Sequence, residues 1–393
     1  MTRGLLIVFP YARMDAHPTM RNLLAALARE WDFVHVVSAG GDAHLKNGDP
    51  VDACLVPSLP HSTLNPLVGR GSFVEQPRAR FRAALAPRRL AAERSRYAAI
   101  IGVDPEGLIQ AHRLNRSAQL PLLYLSFEIM FKDEITGSPL EAMKRRELEA
   151  SREVRLALVQ DEERAACLVE HNGISRENMV LVPNGPAPEP AGTSTYLREK
   201  LGIPAESRIV LYAGNLKTWA SRDFFDEMLA FWPRDYVLVL HHWVNADSFL
   251  NAYLRRLRET GRVYVSEDPL PPDRLTSLYA SADFGLAPFK RTPDFWDTGQ
   301  NIYHMGLSSG KVGYYALCGL PMLASDMPVF RREFSEYRCG EVYSSIGQTG
   351  DLLRRMDGEY DKYRAESLRF YRERMDPTQG IRAFCERLRS AAP

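Results

Sequence analysis

The residues best able to do chemistry lie between Gly306 and Ala324. Gly306, Ser308, Ser309 and Gly310 form a glycine- and serine-rich loop, and Lys311 opens a short helical run that ends near Cys318. Gly319 stops that run, and the apolar residues from Leu320 to Ala324 read as a buried strand. A helix start leaves amide groups unpaired and carries partial positive charge, so it attracts an anion. The two serine hydroxyls and the lysine add donors at the same place, and the glycines let the backbone approach closely. Lysine is scarce in this chain, 8 against 42 arginines, so Lys311 is less readily explained as generic surface charge. A phosphate or diphosphate is the guest such a loop suits. The spacing differs from the Walker A loop, because only three residues separate Gly306 from Gly310 and Val312 follows the lysine. The same residues would also serve an ordinary capped surface helix, and the loop alone does not choose between the two.

The elements that must position this loop follow an α/β grammar. Leu5–Phe9, Phe33–Ser38, Ala53–Pro57, Tyr97–Val103, Leu122–Ser126, Leu156–Gln160 and Met179–Val182 read as strands. Several are continuous apolar runs, as in parallel sheets covered on both faces. Helices are expected at Thr19–Glu30, Pro139–Arg152 and Asp161–Asn172. The segment from Pro183 to Gly192 is dense in proline and glycine and marks a linker. The second half repeats the pattern, with strands at Arg208–Ala213, Tyr236–Leu240, Val263–Val265 and Phe284–Ala287 before the Gly306–Ala324 run. Helices are expected at Asp223–Phe231 and Pro272–Ser281, and terminal helices at Ser367–Met375 and Gly380–Ser390. The expected division is residues 1–183, a linker at 184–193, a second domain at 194–370, and closing helices at 371–393 that pack toward the first domain. Ligands of open α/β sheets bind at the carboxyl ends of strands, which makes Asp104 and Glu128 candidates, although each also suits a cap.

Other features narrow the function. Net charge is +1 in 393 residues, so no global field points to nucleic acid or a membrane. The five cysteines are scattered without ligand spacing, which fits reduced thiols in the cytoplasm and no structural zinc. No Asp-x-Asp metal signature occurs. Between Pro77 and Tyr97 the chain is rich in arginine, from Arg78 to Arg96. That stretch reads as a solvated helix face, with peripheral membrane contact as the sharper alternative. Trp219, Trp243, Phe295 and Trp296 are aromatics able to stack on a base or sugar, or to sit in a core, and His241-His242 follow a strand end.

Four pieces in order resemble the GT-B glycosyltransferases, in particular their retaining family-4-like group. They are Val180 to Gly185; Val210 to Asn215; Leu278 to Ala287; and Gly306 to Lys311 followed by Tyr315, Cys318-Gly319 and Leu320-Pro321. Tyr124 to Glu128 adds a fifth, weaker piece. The resemblance implies two Rossmann-like domains facing across a cleft, with a nucleotide-diphosphate sugar held by the second. It implies donor contacts from Gly214, Asn215, Lys217, Ser308, Ser309, Gly310, Lys311 and Tyr314. It places the acceptor near Arg13, Asp15, His17, Asp104 and Glu128, with Lys311, His17 and Glu128 the candidates for catalysis. The family's two ribose-gripping glutamates are replaced by Gly306 and Tyr314, and Asn215 stands where an arginine is common.

The implied reaction is transfer of a sugar to an acceptor hydroxyl with retention of configuration. It needs no metal and no tightly bound cofactor beyond the nucleotide-sugar co-substrate. The acceptor, whether glycan, lipid-linked molecule or small molecule, is not encoded in any readable motif. A catalytically degenerate partner or glycan-binding protein, and a sugar-nucleotide epimerase, are the alternatives that share the fold.

Overall fold

The computed structural model of the chain describes residues 3–11, 17–38, 41–46, 87–220, 224–242, 248–267, 269–292 and 294–392. The expected strand at Ala53–Pro57 and the first half of the arginine-rich stretch lie outside these residues, as do Arg13, Asp15 and Trp243. The chain forms two compact units. The first comprises Met1–Asn184 with Pro377–Pro393, and the second comprises Gly185–Asp376.

The first unit is built on a seven-stranded sheet of order β3-β2-β1-β4-β5-β6-β7. Its strands are β1 (Gly4–Phe9), β2 (Phe33–Ser38), β3 (Gly41–Lys46), β4 (Tyr97–Val103), β5 (Leu122–Leu125), β6 (Val154–Val159) and β7 (Met179–Leu181). All neighbours run parallel except β3, which returns antiparallel from β2. Strand β1 shows why its sequence is apolar without alternation. Leu5, Ile7 and Phe9 enter one core with Leu23, Leu24 and Leu27 of the helix Pro18–Glu30 and Phe384 and Leu388 of the helix Thr378–Ala391. Leu6 and Val8 enter another, with Leu108 and Ala111 of the helix Asp104–Asn115 and Leu168 of the helix Glu162–Asn172. Each fully buried leucine or isoleucine contributes roughly 1.5–3 kcal/mol. The Glu162 helix starts as its sequence indicates. Asp161 Oδ1 accepts from the Arg164 amide at 2.9 Å, and Gly173 closes the helix at φ 68°.

The second unit carries a six-stranded parallel sheet of order β10-β9-β8-β11-β12-β13. Its strands are β8 (Arg208–Ala213), β9 (Tyr236–His241), β10 (Val263–Ser266), β11 (Phe284–Ala287), β12 (Met322–Ser325) and β13 (Gly340–Tyr343). Again alternate residues serve two cores, Ile209 and Leu211 on one face and Val210 and Tyr212 on the other. The sequence reading ended the sheet at β12 and missed β13, whose four residues, Gly-Glu-Val-Tyr, are too short and mixed to stand out. It also missed helices at Asp104–Asn115, Ser248–Glu259, Pro328–Tyr337 and Thr349–Gly358. The terminal helix expected at Ser367–Met375 is the end of a longer one, Tyr360–Phe370, which continues as a π-helical turn at Tyr371–Met375.

Described residues of the arginine-rich stretch keep Arg88, Arg89, Arg94 and Arg96 at the surface, while Leu90 is buried. Among the described residues no helix is long and apolar enough to cross a membrane.

Close packing at β11 gives a direct test. A Cβ on Gly285 would lie 2.4 Å from the Tyr315 ring, a separation no real pair adopts. Gly285→Ala is therefore expected to lower stability by about 1–3 kcal/mol, read as a lower urea midpoint at unchanged m-value. A variant as stable as wild type would show that Tyr315 is free to retreat.

Candidate functional site

In the second unit the chain winds outward from β8 through β10, then returns to place β11 on the other side of β8. The β8/β11 junction is thus the switch point at which open α/β sheets take ligands. The helix Gly310–Leu317 is fixed there by a buried hydroxyl. Tyr315 Oη lies 2.8 Å from the Leu211 carbonyl on β8 and 3.1 Å from the Leu286 carbonyl on β11, and the Ala213 amide donates to it at 3.4 Å. One turn earlier on the helix, Lys311 comes to the carboxyl ends of both strands.

Lys311 Nζ sits 4.0 Å from the ring centre of Tyr212 and 5.0 Å from that of Phe289, two residues beyond β11. Gly214 closes the other side. Its φ is 145°, and a Cβ there would be 3.2 Å from Nζ. The Gly214 amide donates to the His241 carbonyl at 3.0 Å, which holds this turn in place. The lysine stem is partly exposed, yet Nζ is out of contact with solvent and has no hydrogen-bond partner among the described residues. Burial alone lowers its pKa from the ordinary 10.5 to about 7. Ser309, the N-cap, is extended, but its hydroxyl does not cap the helix; Oγ is also buried, with no hydrogen-bond partner among the described residues. The amides of Gly310 and Lys311 begin the helix and have no intrahelical acceptor. The arrangement offers an ammonium, a hydroxyl and a helix start, the chemistry of an anion site.

Gly214, Ser309, Gly310 and Lys311 are thus brought together, and Ser308 precedes them, partly buried. Asn215 contributes its carbonyl, which accepts from the Tyr212 hydroxyl. Lys217 is exposed, just before the turn Thr218–Ala220. Tyr314 is only 6% exposed and lies in the core, its ring stacked on Tyr279 with centres 4.7 Å apart. Its ring is thus part of the core at the position where the resemblance implied a donor contact. The helix is itself a core element, buried from Val312 through Cys318, unlike a capped surface helix. Trp219 stacks on Phe289 at 6.0 Å, whereas Phe295 is 67% exposed. His241 and His242 are buried and engaged, with His241 Nδ1 3.0 Å from Ser266 Oγ and His242 Nε2 3.6 Å from Glu267. Sequence reasoning missed Tyr212 and Phe289, because their meeting with Lys311 depends on how helix and sheet pack.

A second group of candidates gathers at the carboxyl ends of β1, β4 and β5 in the first unit. Asp104 ends β4 with φ 55° and is fully buried. Its Oδ1 accepts from the amides of Phe127 at 2.7 Å and Glu128 at 2.9 Å, and the Tyr11 hydroxyl also bonds to the carboxylate. Burial raises the Asp104 pKa from 3.8 to about 6, against the lowering effect of these donors and of Arg164. Arg164, itself buried, donates to the Phe127 carbonyl at 2.6 Å. His17, at the start of the Pro18–Glu30 helix, places its ring 5.3 Å from that of Phe127. Glu128 is partly exposed beside them. The structure therefore unites His17, Asp104 and Glu128. It adds Tyr11 and Arg164, which the sequence reading did not single out. Among the described residues no cluster of His, Cys, Asp or Glu is arranged to hold a metal ion.

No protein-family model matches this chain, and no curated protein matches it in sequence. Solved structures do match in shape. Anabaena Alr3699/HepE in complex with UDP-glucose superposes with a TM-score of 0.71 at 15% identity, over 98% of this chain and 99% of that one. WaaG, a glycosyltransferase involved in lipopolysaccharide biosynthesis, gives 0.65 at 15% identity over 97% and 98%. Sucrose-phosphate synthase from Thermosynechococcus elongatus gives 0.65 at 13% identity over 99% and 98%. A UDP-N-acetylglucosamine 2-epimerase matches with a TM-score of 0.58 at 16% identity, over 99% and 96%. The fold is GT-B.

Asp104 yields a prediction about pH. Its folded pKa exceeds its unfolded value, so between about pH 4 and pH 6 the folded chain holds a proton the unfolded chain releases. Stability from this group is full below pH 4 and is lost as pH rises to 6. Asp104→Asn keeps the Oδ1 acceptor and removes the titration. Relative to wild type, the variant should gain up to about 1.4 kcal/mol per pH unit across that window. Chemical unfolding at a series of pH values checks this, and parallel profiles would refute it.

Proposed function

We propose that the protein is a glycosyltransferase that moves a sugar from a nucleoside-diphosphate donor to an acceptor hydroxyl, with retention of configuration and without a metal. The observation that carries this reading is the position of Lys311, Ser309 and the Gly310 helix start at the β8/β11 switch point. In that transfer, negative charge grows on the diphosphate as the bond to the sugar breaks. Preorganised donors aimed at the developing charge stabilise it most, and they act strongly where water is excluded. Lys311 Nζ and Ser309 Oγ are out of contact with solvent and have no hydrogen-bond partner among the described residues, so a diphosphate would meet donors those residues do not engage. The HepE complexes with UDP and with UDP-glucose support a nucleotide sugar as the donor class.

The acceptor belongs to the first unit, beside His17, Asp104 and Glu128, with Arg13 and Asp15 close in sequence. The acceptor is a glycan, a lipid-linked molecule or a small molecule. Glu128 and His17 orient the acceptor hydroxyl, whose proton passes to the departing phosphate. The buried thiols Cys167, Cys318, Cys339 and Cys385 are unpaired, which supports a reducing, cytoplasmic setting.

A thermal-shift screen with UDP, GDP, ADP and TDP, without added metal, tests the donor assignment. At about a hundred times its dissociation constant the matching nucleotide should add about 2.7 kcal/mol of stability. Lys311→Ala should abolish that shift and cut the transfer rate by more than tenfold while leaving a folded protein. If wild type responds to none of the four, the donor reading fails and a catalytically degenerate role replaces it.

A further inference from the structure

We infer that the Lys311 site takes up a proton when it takes up a diphosphate, because the protein surrounds this amine with aromatic faces and leaves the counter-charge to the ligand. The inference rests on the donor-site reading above and deepens it.

Two strands and the segments that follow them surround Nζ. From β8 comes the face of Tyr212, at 4.0 Å, and from the segment after β11 the face of Phe289, at 5.0 Å. Gly214 offers backbone only. The titratable groups nearby are phenols. Tyr212 and Tyr315 are fully buried, and burial raises both above the ordinary tyrosine range, so both stay neutral. At the end of β9, His241 is turned to Ser266. Lys290, next to Phe289, places its ammonium 4.6 Å from the Phe224 ring and adds no negative charge. No carboxylate contributes to the Lys311 shift, whose single cause is desolvation.

Aromatic faces attract a cation by a modest amount, far less than a hydrogen-bonded anion does. In the unliganded protein, burial therefore brings the pKa of the amine down to about 7, and the aromatic faces do not restore it. A bound diphosphate brings negative charge to Nζ and returns its pKa toward the ordinary value. The sign follows directly. Below about pH 7 the amine is already charged and binding moves no proton. Above it, each binding event draws a proton from solution, and affinity falls about tenfold per pH unit. The terminal phosphate of a nucleoside diphosphate, with a pKa of about 6, is fully ionised in this range and does not obscure the slope.

Titration calorimetry of the full chain with UDP and with GDP, from pH 7.5 to 9.5 in buffers of different ionisation heat, reads this directly. The expected result is uptake approaching one proton per site at pH 8.5, with the dissociation constant rising about tenfold per pH unit. Lys311→Arg, which keeps its charge throughout, should bind with no proton uptake and a flat profile. If that variant fails to fold or bind, the wild-type slope decides alone. Binding by wild type with no uptake and a flat profile overturns the coupling and leaves the donor site standing. Absence of binding by either nucleotide at every pH overturns the coupling and counts against the donor site as well.

Discussion

The second unit depends on one buried hydroxyl. Tyr315 Oη bridges the Leu211 and Leu286 carbonyls, so a single side chain ties the Gly310–Leu317 helix to the two strands where the sheet changes direction. A buried phenol must find partners or cost several kcal/mol. Here the partners are available only when β8, β11 and the helix all hold their native places. Gly285 leaves room for the ring to arrive, because any Cβ at that position would collide with it. Lys311 and Ser309 belong to the same rigid piece. Their positions follow from the anchoring of the helix and not from hydrogen bonds of their own, since neither polar atom has a hydrogen-bond partner among the described residues.

Each unit buries an ionisable group at the carboxyl ends of its central strands, and the two are treated in opposite ways. Asp104 is surrounded by donors: two backbone amides, the Tyr11 hydroxyl and the charge of Arg164. Desolvation still prevails, but those contacts fix the β4-to-helix turn, in which Asp104 itself adopts φ 55°. A non-glycine residue held in that region needs surroundings that determine it, and here the hydrogen bonds to Phe127 and Glu128 supply them. Lys311 receives no such support. Aspartate acts as a structural joint as well as a candidate acceptor group, while the lysine is free to answer to whatever anion arrives.

Much of the fold was legible in the sequence, because parallel strands buried on both faces write themselves as apolar runs. Leu5–Phe9 and Arg208–Ala213 are such strands, and Asp161 and Gly173 punctuate a helix by local rules. Short β13 was not legible, since its glutamate and glycine break the run. The antiparallel β3, Gly41–Lys46, alternates Gly41, Ala43 and Leu45 with Asp42, His44 and Lys46, but with a single large apolar residue the pattern is too weak to stand out. At the candidate site, the Gly-Ser-Lys grouping was visible because helix starts have a composition. Its aromatic floor was not, because Tyr212 and Phe289 stand 77 residues apart and meet Lys311 only through the Tyr315 tether. The surroundings of Tyr314 were equally hidden: the family pattern implied a donor contact there, and the fold stacks its ring on Tyr279 among apolar residues.

On the proposed donor reading, Gly306 and Tyr314 in place of two carboxylates change how a nucleotide sugar would be recognised. Carboxylates at the positions of Gly306 and Tyr314 would have gripped hydroxyls and added two negative charges to the region. Their absence removes acceptors, but it also removes repulsion toward a diphosphate and any intrinsic partner that would compete for the lysine. Burial of Nζ then does two things together. It strengthens each interaction with an incoming anion by excluding water, and it raises the cost of holding the charge beforehand.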